Sequence, residues 1–516
     1  MQSRIDNAGR FLEKMGGFII AGIGLVVGAA LTYYSAFYTE ICLLDEDVGH
    51  TAVDSGWRNL LAFVLFLGLS WIVRFWVRSK QEQAEKLEKV FLIAALLIGF
   101  TAGTVWTVMA HIKPIADSGN VCTVAEYMLR GEFPMQLPTY MGYNPQQYGM
   151  VFVLQCMFAC FGSGNYFVWQ IMNVLLFPLM IYAGYRIVKL MTRDTGIALY
   201  YLILILSFLP FYYYLPYVYG DFPSAACGMV VMWQIMEFCR NRKNHSAVIA
   251  VLFALFGYVV RKNTIIVIIA SCLVLIVCAL RNAQDRIRML AAALIMVLAA
   301  WGGNQAIYLY YEHISGQAIS PGIPASCYIM MGLEDKPDKG PGWFNGDNYM
   351  ALVRVDYDCE AADEYGKEQI RKRLKEFWDD KRYAVDFFRR KITSQWNMPD
   401  CFALHETEHF TVDESELPAV VRETYFGDLR NRLENYMNRY QFILYAGFAI
   451  AMGIMLFRPK REMEYYLTAA AIIGGMCFSI IWEAMSRYVF AYEGYMIPLA
   501  AIGIWQFLGW VENRLR

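Results

Sequence analysis

Charge is what this sequence has little of. Lys, Arg, Asp and Glu make up 18% of its 516 residues, against about 25% in an ordinary soluble domain, and 57% of the residues are hydrophobic. A chain this apolar is not a soluble protein. The net charge is −1, so the basic excess that a nucleic-acid partner needs is missing. Twelve cysteines are present, with no CxxC pair and no zinc-ribbon spacing; scattered as they are through apolar blocks, they read as small core residues. No internal repeat and no low-complexity linker divides the chain. The first apolar run lacks a small-residue cleavage site after it, so it is expected to stay as a span and to act as the targeting signal.

What is there is a series of uncharged blocks of about 17–25 residues, the length that crosses a hydrocarbon core of roughly 30 Å as a helix. Twelve spans are expected, near 17–38, 57–77, 90–111, 165–190, 196–215, 222–240, 246–260, 263–280, 288–310, 441–457, 464–482 and 489–510. The positive-inside rule places Arg4, Arg10 and Lys14 in the cytoplasm, with Arg78, Lys80, Lys86 and Lys89. The first outer loop agrees, since it carries Glu40, Asp45, Glu46, Asp47 and Asp54 and no Lys or Arg. Met150 to Phe161 is apolar but short. Were it a span, Arg186, Lys189 and Arg193 would fall outside; read as an interfacial or re-entrant helix, it leaves them inside with Arg240, Arg242 and Lys243. The second reading also puts Arg281, Arg286 and Arg288, then Arg458, Lys460 and Arg461, then Arg514 and Arg516 in the cytoplasm. Both termini are therefore expected to be cytoplasmic.

Two segments remain outside the bilayer and can carry chemistry. The organisation expected is a transmembrane bundle over 1–311 with an outer loop at 112–164, an extracytoplasmic cap over 312–440, and C-terminal transmembrane helices over 441–516. In the cap, Ile370, Leu374, Phe377, Trp378, Val385 and Phe388 recur at helical spacing, which predicts one or two helices laying that stripe on the bundle.

Asp117 follows the third span by a few residues, at the level where a lipid-borne phosphate and a hydroxyl from water can meet. A carboxylate there suits the general base that deprotonates an attacking hydroxyl while a polyprenyl phosphate leaves from the opposite face of a sugar, inverting the anomeric centre. The alternative is that Asp117 caps the following helix. Asp221, in Pro216-Tyr-Val-Tyr-Gly-Asp-Phe-Pro223, is a second outer carboxylate flanked by apolar helix, a functional candidate or the cap of the sixth span. The two carboxylates can share the base and acceptor-orienting roles, or hold a divalent cation between them. Arg261-Lys262-Asn263 splits a long apolar run on the outer side; these cations can neutralise a carrier phosphate or merely snorkel at span ends. Arg487, in Trp482-Glu-Ala-Met-Ser-Arg487-Tyr488, is a second candidate phosphate contact. His405-Glu-Thr-Glu-His409 matches HExxH, which on a helix binds zinc through His405 and His409 and uses Glu406 as base; a membrane zinc peptidase is thus one alternative function.

The first-loop Asp117, the segment Tyr143-Asn-Pro-Gln-Gln147-Tyr-Gly149, the second outer Asp221, the late Glu-x3-Arg-Tyr and the Gly-Pro-Gly-Trp-Phe-Asn run at 340–345 together resemble bacterial GT-C glycosyltransferases. The likeness is to the protein-mannosyltransferase-like, family-39-like enzymes of the Gram-positive cell envelope. It implies an all-α GT-C-like bundle of about twelve transmembrane helices in the bacterial cytoplasmic membrane, with an extracytoplasmic active site. It also implies inverting transfer of a sugar from a polyprenyl-phosphate-linked donor, with no certain cofactor, to a cell-envelope glycan, lipid-linked glycan or protein acceptor. Asp117 matches the family's first-loop catalytic Asp and Asp221 its second acidic position. Gln147 matches the polar residue before the interfacial helix, and with Tyr219 and Tyr488 it is a candidate for substrate binding; Arg261, Lys262 and Arg487 are candidates for the donor phosphate. Two spans precede the family's usual first one, and its acidic first-loop pattern is reduced here to Asp117. A lipid-glycan flippase is the remaining alternative, although the repeats and paired broken helices of transporters are missing from the sequence.

Overall fold

In hydrocarbon every backbone N–H and C=O must find its partner inside the segment, so uncharged blocks of this length become helices. The computed structural model describes residues 2–42, 49–80, 83–281, 283–337, 339–459 and 462–515. Asp45, Glu46, Asp47, Lys460, Arg461 and Arg516 lie outside the described residues, as does the side chain of Arg4. Helix α1 (Gln2–Phe37) leads into a hairpin of β1 (Tyr38–Cys42) and β2 (Gly49–Val53), followed by α2 (Gly56–Ser79), α3 (Ala84–Ala110), α4 (Ala116–Leu129) and α5 (Tyr148–Phe161). Next come α6 (Phe167–Thr192), α7 (Thr195–Ser207), α8 (Asp221–Asn241), α9 (Asn244–Val260), α10 (Ile265–Arg281) and α11 (Arg286–Ser315). The cap contributes α12 (Ala325–Gly332), α13 (Cys359–Asp379) and α14 (Lys381–Trp396), and the chain returns to the bundle with α15 (Asp428–Phe457), α16 (Leu467–Ile481) and α17 (Phe490–Leu515).

Among the described residues ten helices are long and apolar enough to cross a membrane, and α7 and α9 are shorter apolar helices. Together they occupy the twelve segments expected from hydropathy, and the chain is an all-α polytopic membrane protein. The expected span 196–215 is a correction. It breaks after Ser207 and resumes over Leu209–Tyr214, because the ring of Pro210 cannot coexist with a helical carbonyl at Leu206; that carbonyl instead accepts the Tyr212 hydroxyl at 3.2 Å. The break leaves 215–220 non-helical, and this stretch carries Tyr217 and Tyr219 into the site described below.

Close helix contact is made where side chains are small. Gly24 and Gly28 of α1 lie against Met452, Phe448 and Ala449 of α15, where an added Cβ would come within 3.0 Å of its neighbours, the small-xxx-small arrangement of membrane helices. The two ends of the bundle differ sharply. At one, Glu13 meets Arg281 at 2.7 Å, Glu88 meets Lys189 at 2.8 Å, Glu237 meets Arg186 at 3.2 Å and Asp285 meets Arg242 at 2.9 Å. Basic clusters far apart in sequence thus gather at a single end. Since α3 runs away from that end and α6 runs back to it, residues 111–166 lie at the other. The 14-residue α5 among them is about 21 Å long, shorter than a hydrocarbon core of roughly 30 Å.

The cap is anchored in the bundle. The Trp396 indole donates to Ser479 at 3.2 Å, and the β1 strand is tied down by Glu40 N donating to Asn397 O at 2.9 Å. The expected cap stripe is corrected in part: Phe377 is buried and Ile370 and Phe388 pack beside it, but Leu374, Trp378 and Val385 are exposed, and Phe387 takes the central buried place. The boundary expected at 440 falls inside α15, which already begins at Asp428.

Candidate active site

Asp117 is placed by a double reversal of the chain. His111 at the end of α3 and Ala116 at the start of α4 both adopt left-handed backbone angles, φ 52° and 45°. Between them the chain is fastened to the cap, Lys113 N donating to His409 O and Thr411 N to His111 O, each at 2.8 Å. Ser118 closes the first turn of α4 by accepting from Ile115 N at 3.0 Å, so capping falls to Ser118. The Asp117 carboxylate faces elsewhere: it accepts from the Tyr219 hydroxyl at 3.5 Å and lies 3.9 Å from Arg487 Nη2. Its side chain is 45% exposed. Gln147 donates to the same Tyr219 hydroxyl.

Arg487 is the hub. Buried at the start of the last span, it donates from Nη1 to Glu406 at 2.6 Å and to the Tyr217 hydroxyl at 2.8 Å, while Tyr217 donates to Glu406 at 2.5 Å. Its guanidinium also stands 5.2 Å from the Tyr219 ring centroid and 5.7 Å from that of Tyr488. Its Nε is buried and no protein group accepts from it, an arrangement that costs free energy. Burial raises Glu406 above the usual carboxylate range against the pull of Arg487, and burial pushes the phenols of Tyr217 and Tyr219 far up, which keeps both as neutral donors.

Asp221 begins α8 and is buried; both its oxygens are taken by Arg261, each contact 2.9 Å. The approach needs Gly220, where a Cβ would lie 2.4 Å from Val260 O. Arg261 reaches to within 5.5 Å of the ring centres of Tyr219 and Tyr488, so the two arginines share two aromatic neighbours. A narrow cavity of ≈ 20 Å³, room for about one water, lies between Asp221, Arg261, Arg487 and Tyr488 and is walled by Val267 and Phe490. Lys262 turns away, pairing with Asn304 and standing over Tyr258 at 4.5 Å.

One further carboxyl joins the site. Glu483 is buried, accepts from Tyr488 at 3.0 Å, and is pushed up to about 7 by burial. Behind it Lys391 is buried and donates to the carbonyls of Gly332, Ile480 and Trp482, the last two beside the C-terminal end of α16, a favourable place for a cation; burial brings Lys391 down to about 7.

The HExxH reading is not supported by the geometry. The helical turn Ala403–Glu406 ends before His409, so the two histidines do not share a helix face, and Glu406 is committed to Arg487. Among the described residues no group of three His, Cys, Asp or Glu side chains lies close enough to hold a metal ion, and no step below is routed through one. Of the candidates from the sequence, the structure gathers Asp117, Asp221, Gln147, Tyr219, Arg261, Arg487 and Tyr488 into one cluster and turns Lys262 away from it. In the sequence Glu406 stood out only through the HExxH match and Glu483 only within the Glu-x3-Arg-Tyr motif, and Tyr217 was not singled out. A buried acid inside an apolar run, Cys401-Phe-Ala-Leu-His-Glu406, was the available signal for the first.

A family model described as a conserved hypothetical integral membrane protein matches residues 18–506. No curated protein matches the sequence. Among solved structures, the archaeal oligosaccharyltransferase AglB from Archaeoglobus fulgidus, in complex with an inhibitory peptide and a dolichol-phosphate, is similar at 13% identity over 80% of this chain, with a TM-score of 0.37. The match covers 50% of that protein, so this chain spans half its length. With the match running through nearly the whole bundle, the chain belongs to this family of conserved hypothetical integral membrane proteins.

Proposed function

We propose that the protein is an inverting GT-C-type glycosyltransferase that moves a sugar from a polyprenyl-phosphate carrier to an extracytoplasmic cell-envelope acceptor. The observation that carries this reading is a half-exposed carboxylate, Asp117, next to a buried guanidinium, Arg487, whose Nε has no acceptor. In the proposed reaction Asp117 takes the proton of an acceptor hydroxyl, and the oxygen attacks the anomeric carbon. The bond from that carbon to the phosphate oxygen breaks, and its electron pair leaves on the phosphate. Arg487, whose Nε no protein group engages, receives the charge that grows there. Asp221 has no free oxygen for a proton; its part is to fix Arg261 as the second cation beside the leaving group. Tyr219 and Gln147 orient Asp117, and Tyr488 supports both arginines. Lys262, aimed at Asn304, has no part in this reading.

The placement of this end outside the cytoplasm follows the positive-inside rule applied to the opposite, basic end. Cysteine introduced at Trp378, 74% exposed on the cap, is expected to react with an impermeant reagent in intact cells, and cysteine at Lys86 is not. For activity, purified protein is given polyprenyl-phosphate-linked hexoses or pentoses and release of the lipid phosphate is measured. Asp117→Asn is expected to abolish release; turnover equal to the wild type removes the base assignment.

A further inference from the structure

The acid of the HETEH segment, Glu406, is the tightest partner of the central cation. We propose that Glu406 is a positioning residue that holds the Arg487 guanidinium off Asp117, so that Asp117 keeps an open edge for the acceptor hydroxyl. The inference rests on the reading of Asp117 as the base.

One guanidinium stands between two carboxylates. It is 2.6 Å from Glu406 and 3.9 Å from Asp117, so it is committed to the first and only adjacent to the second. The asymmetry is built in. Tyr217 bridges the tight side, accepting from Arg487 and donating to Glu406, and the turn bearing Glu406 is fixed by neighbours on every side. Asp400 accepts from Phe402 N and Leu404 N, each at 3.1 Å, Tyr214 donates to Cys401 O at 2.7 Å, and Thr407 Oγ donates to Ala403 O at 2.6 Å. The Asp117 carboxylate, on the exposed side, is held by one long hydrogen bond, from Tyr219 at 3.5 Å. If the charge of Glu406 is lost, the buried guanidinium has to be compensated elsewhere. Of the other carboxyls around it, Asp221 is engaged on both oxygens by Arg261 and Glu483 accepts from Tyr488, while Asp117 already lies 3.9 Å from Nη2. A movement of about 1 Å closes the gap to a direct charge-assisted pair, whose N···O distance is about 2.8 Å, and that pair covers the face of Asp117 that the acceptor needs. The cap thus does more than roof the site: its Glu406 decides which carboxylate the arginine neutralises.

The test uses the full-length protein in lipid nanodiscs. Glu406→Gln keeps the size of the side chain and one acceptor oxygen for Arg487 while removing the charge, and its amide nitrogen no longer accepts from Tyr217. Its structure is expected to show Arg487 drawn onto Asp117, and its turnover with a polyprenyl-phosphate hexose is expected to fall about a hundredfold, the scale of a 1 Å misplacement, with the donor KM within about twofold. A purely structural role for Glu406 would lower the melting temperature and the yield of active protein without moving Arg487. The inference is overturned if Arg487 stays on residue 406 with Asp117 as distant as before. Tyr217→Phe provides the second variant should Glu406→Gln not fold: it removes the bridge but keeps the charge, and a smaller shift of Arg487 toward Asp117 is expected, with no shift counting against the inference. Asp117→Asn measured alongside separates the two readings. Loss of turnover in Asp117→Asn with wild-type turnover in Glu406→Gln sinks this inference alone, whereas full turnover in Asp117→Asn sinks the base.

Discussion

The two ends of the bundle use the same residue types in different ways. At the basic end each named acid lies beside a cation: Glu13 with Arg281, Glu88 with Lys189, Glu237 with Arg186 and Asp285 with Arg242. At the cap end four carboxyls, Asp117, Asp221, Glu406 and Glu483, surround two guanidiniums, and only the Asp221 and Arg261 pair is closed on both sides. A closed pair commits its acid to the cation and leaves that acid little capacity to bind a ligand or take a proton. A shared cation beside a half-exposed acid retains that capacity. The difference separates charges that hold helices together from charges available to a reaction.

Four measurements break or sharpen this contrast. Asp117→Asn is expected to lower turnover by about a hundredfold or more, the usual worth of a general base, with its melting temperature in detergent unchanged; a large drop in melting temperature would make Asp117 one more structural acid. Asp221→Asn is expected to cost about tenfold in turnover, because Arg261 loses one of the two charge-assisted contacts that aim it, and stability should fall as well, since a buried pair has been broken. Turnover lost as fully as in Asp117→Asn would return a direct catalytic role to Asp221. Glu237→Gln at the basic end is expected to do the reverse of Asp117→Asn. It lowers stability by about 1 kcal/mol, its partner Arg186 being partly exposed, and leaves turnover alone; a loss of turnover there would erase the distinction between the ends.

The smallest effect expected is in the pH dependence of stability. Glu483 titrates at about 7 in the folded protein and near 4.3 when unfolded. Between those values the folded state binds the proton and the unfolded state does not, so this group makes stability fall as pH rises from about 4.5 to about 7. Glu483→Gln should flatten that part of the melting-temperature profile. An unchanged slope would mean that Glu483 is not the buried titrating group.

Much of this architecture was legible in the sequence. Hydropathy gave all twelve apolar segments, and short length together with the charge count set Met150 to Phe161, in the 14-residue α5, apart from them. The misreadings have local causes. Pro210 was passed over within an apolar run, although it is what frees 215–220 to enter the site. In the cap, helical spacing identified α13 and α14 but not which of their apolar residues face inward, since Phe387 and Phe388 are neighbours in sequence and only packing chooses between them. Of the site residues, the charged ones were conspicuous because an ionisable group beside apolar helix is costly. Glu406 was conspicuous for the wrong reason, its neighbours happening to spell a zinc motif.

By itself the sequence determined which segments are apolar enough to cross a membrane, which ends of the helices gather the basic residues, and which carboxylates and arginines were candidates. Those properties follow from transfer free energy and charge, which act on each segment largely independently of the others. Which acid meets which cation was decided only by the tertiary structure. Asp117, Tyr217, Glu406 and Arg487 come from four distant segments, and whether a given carboxylate ends up paired, shared or open depends on differences of about an ångström in how the helices and the cap pack together.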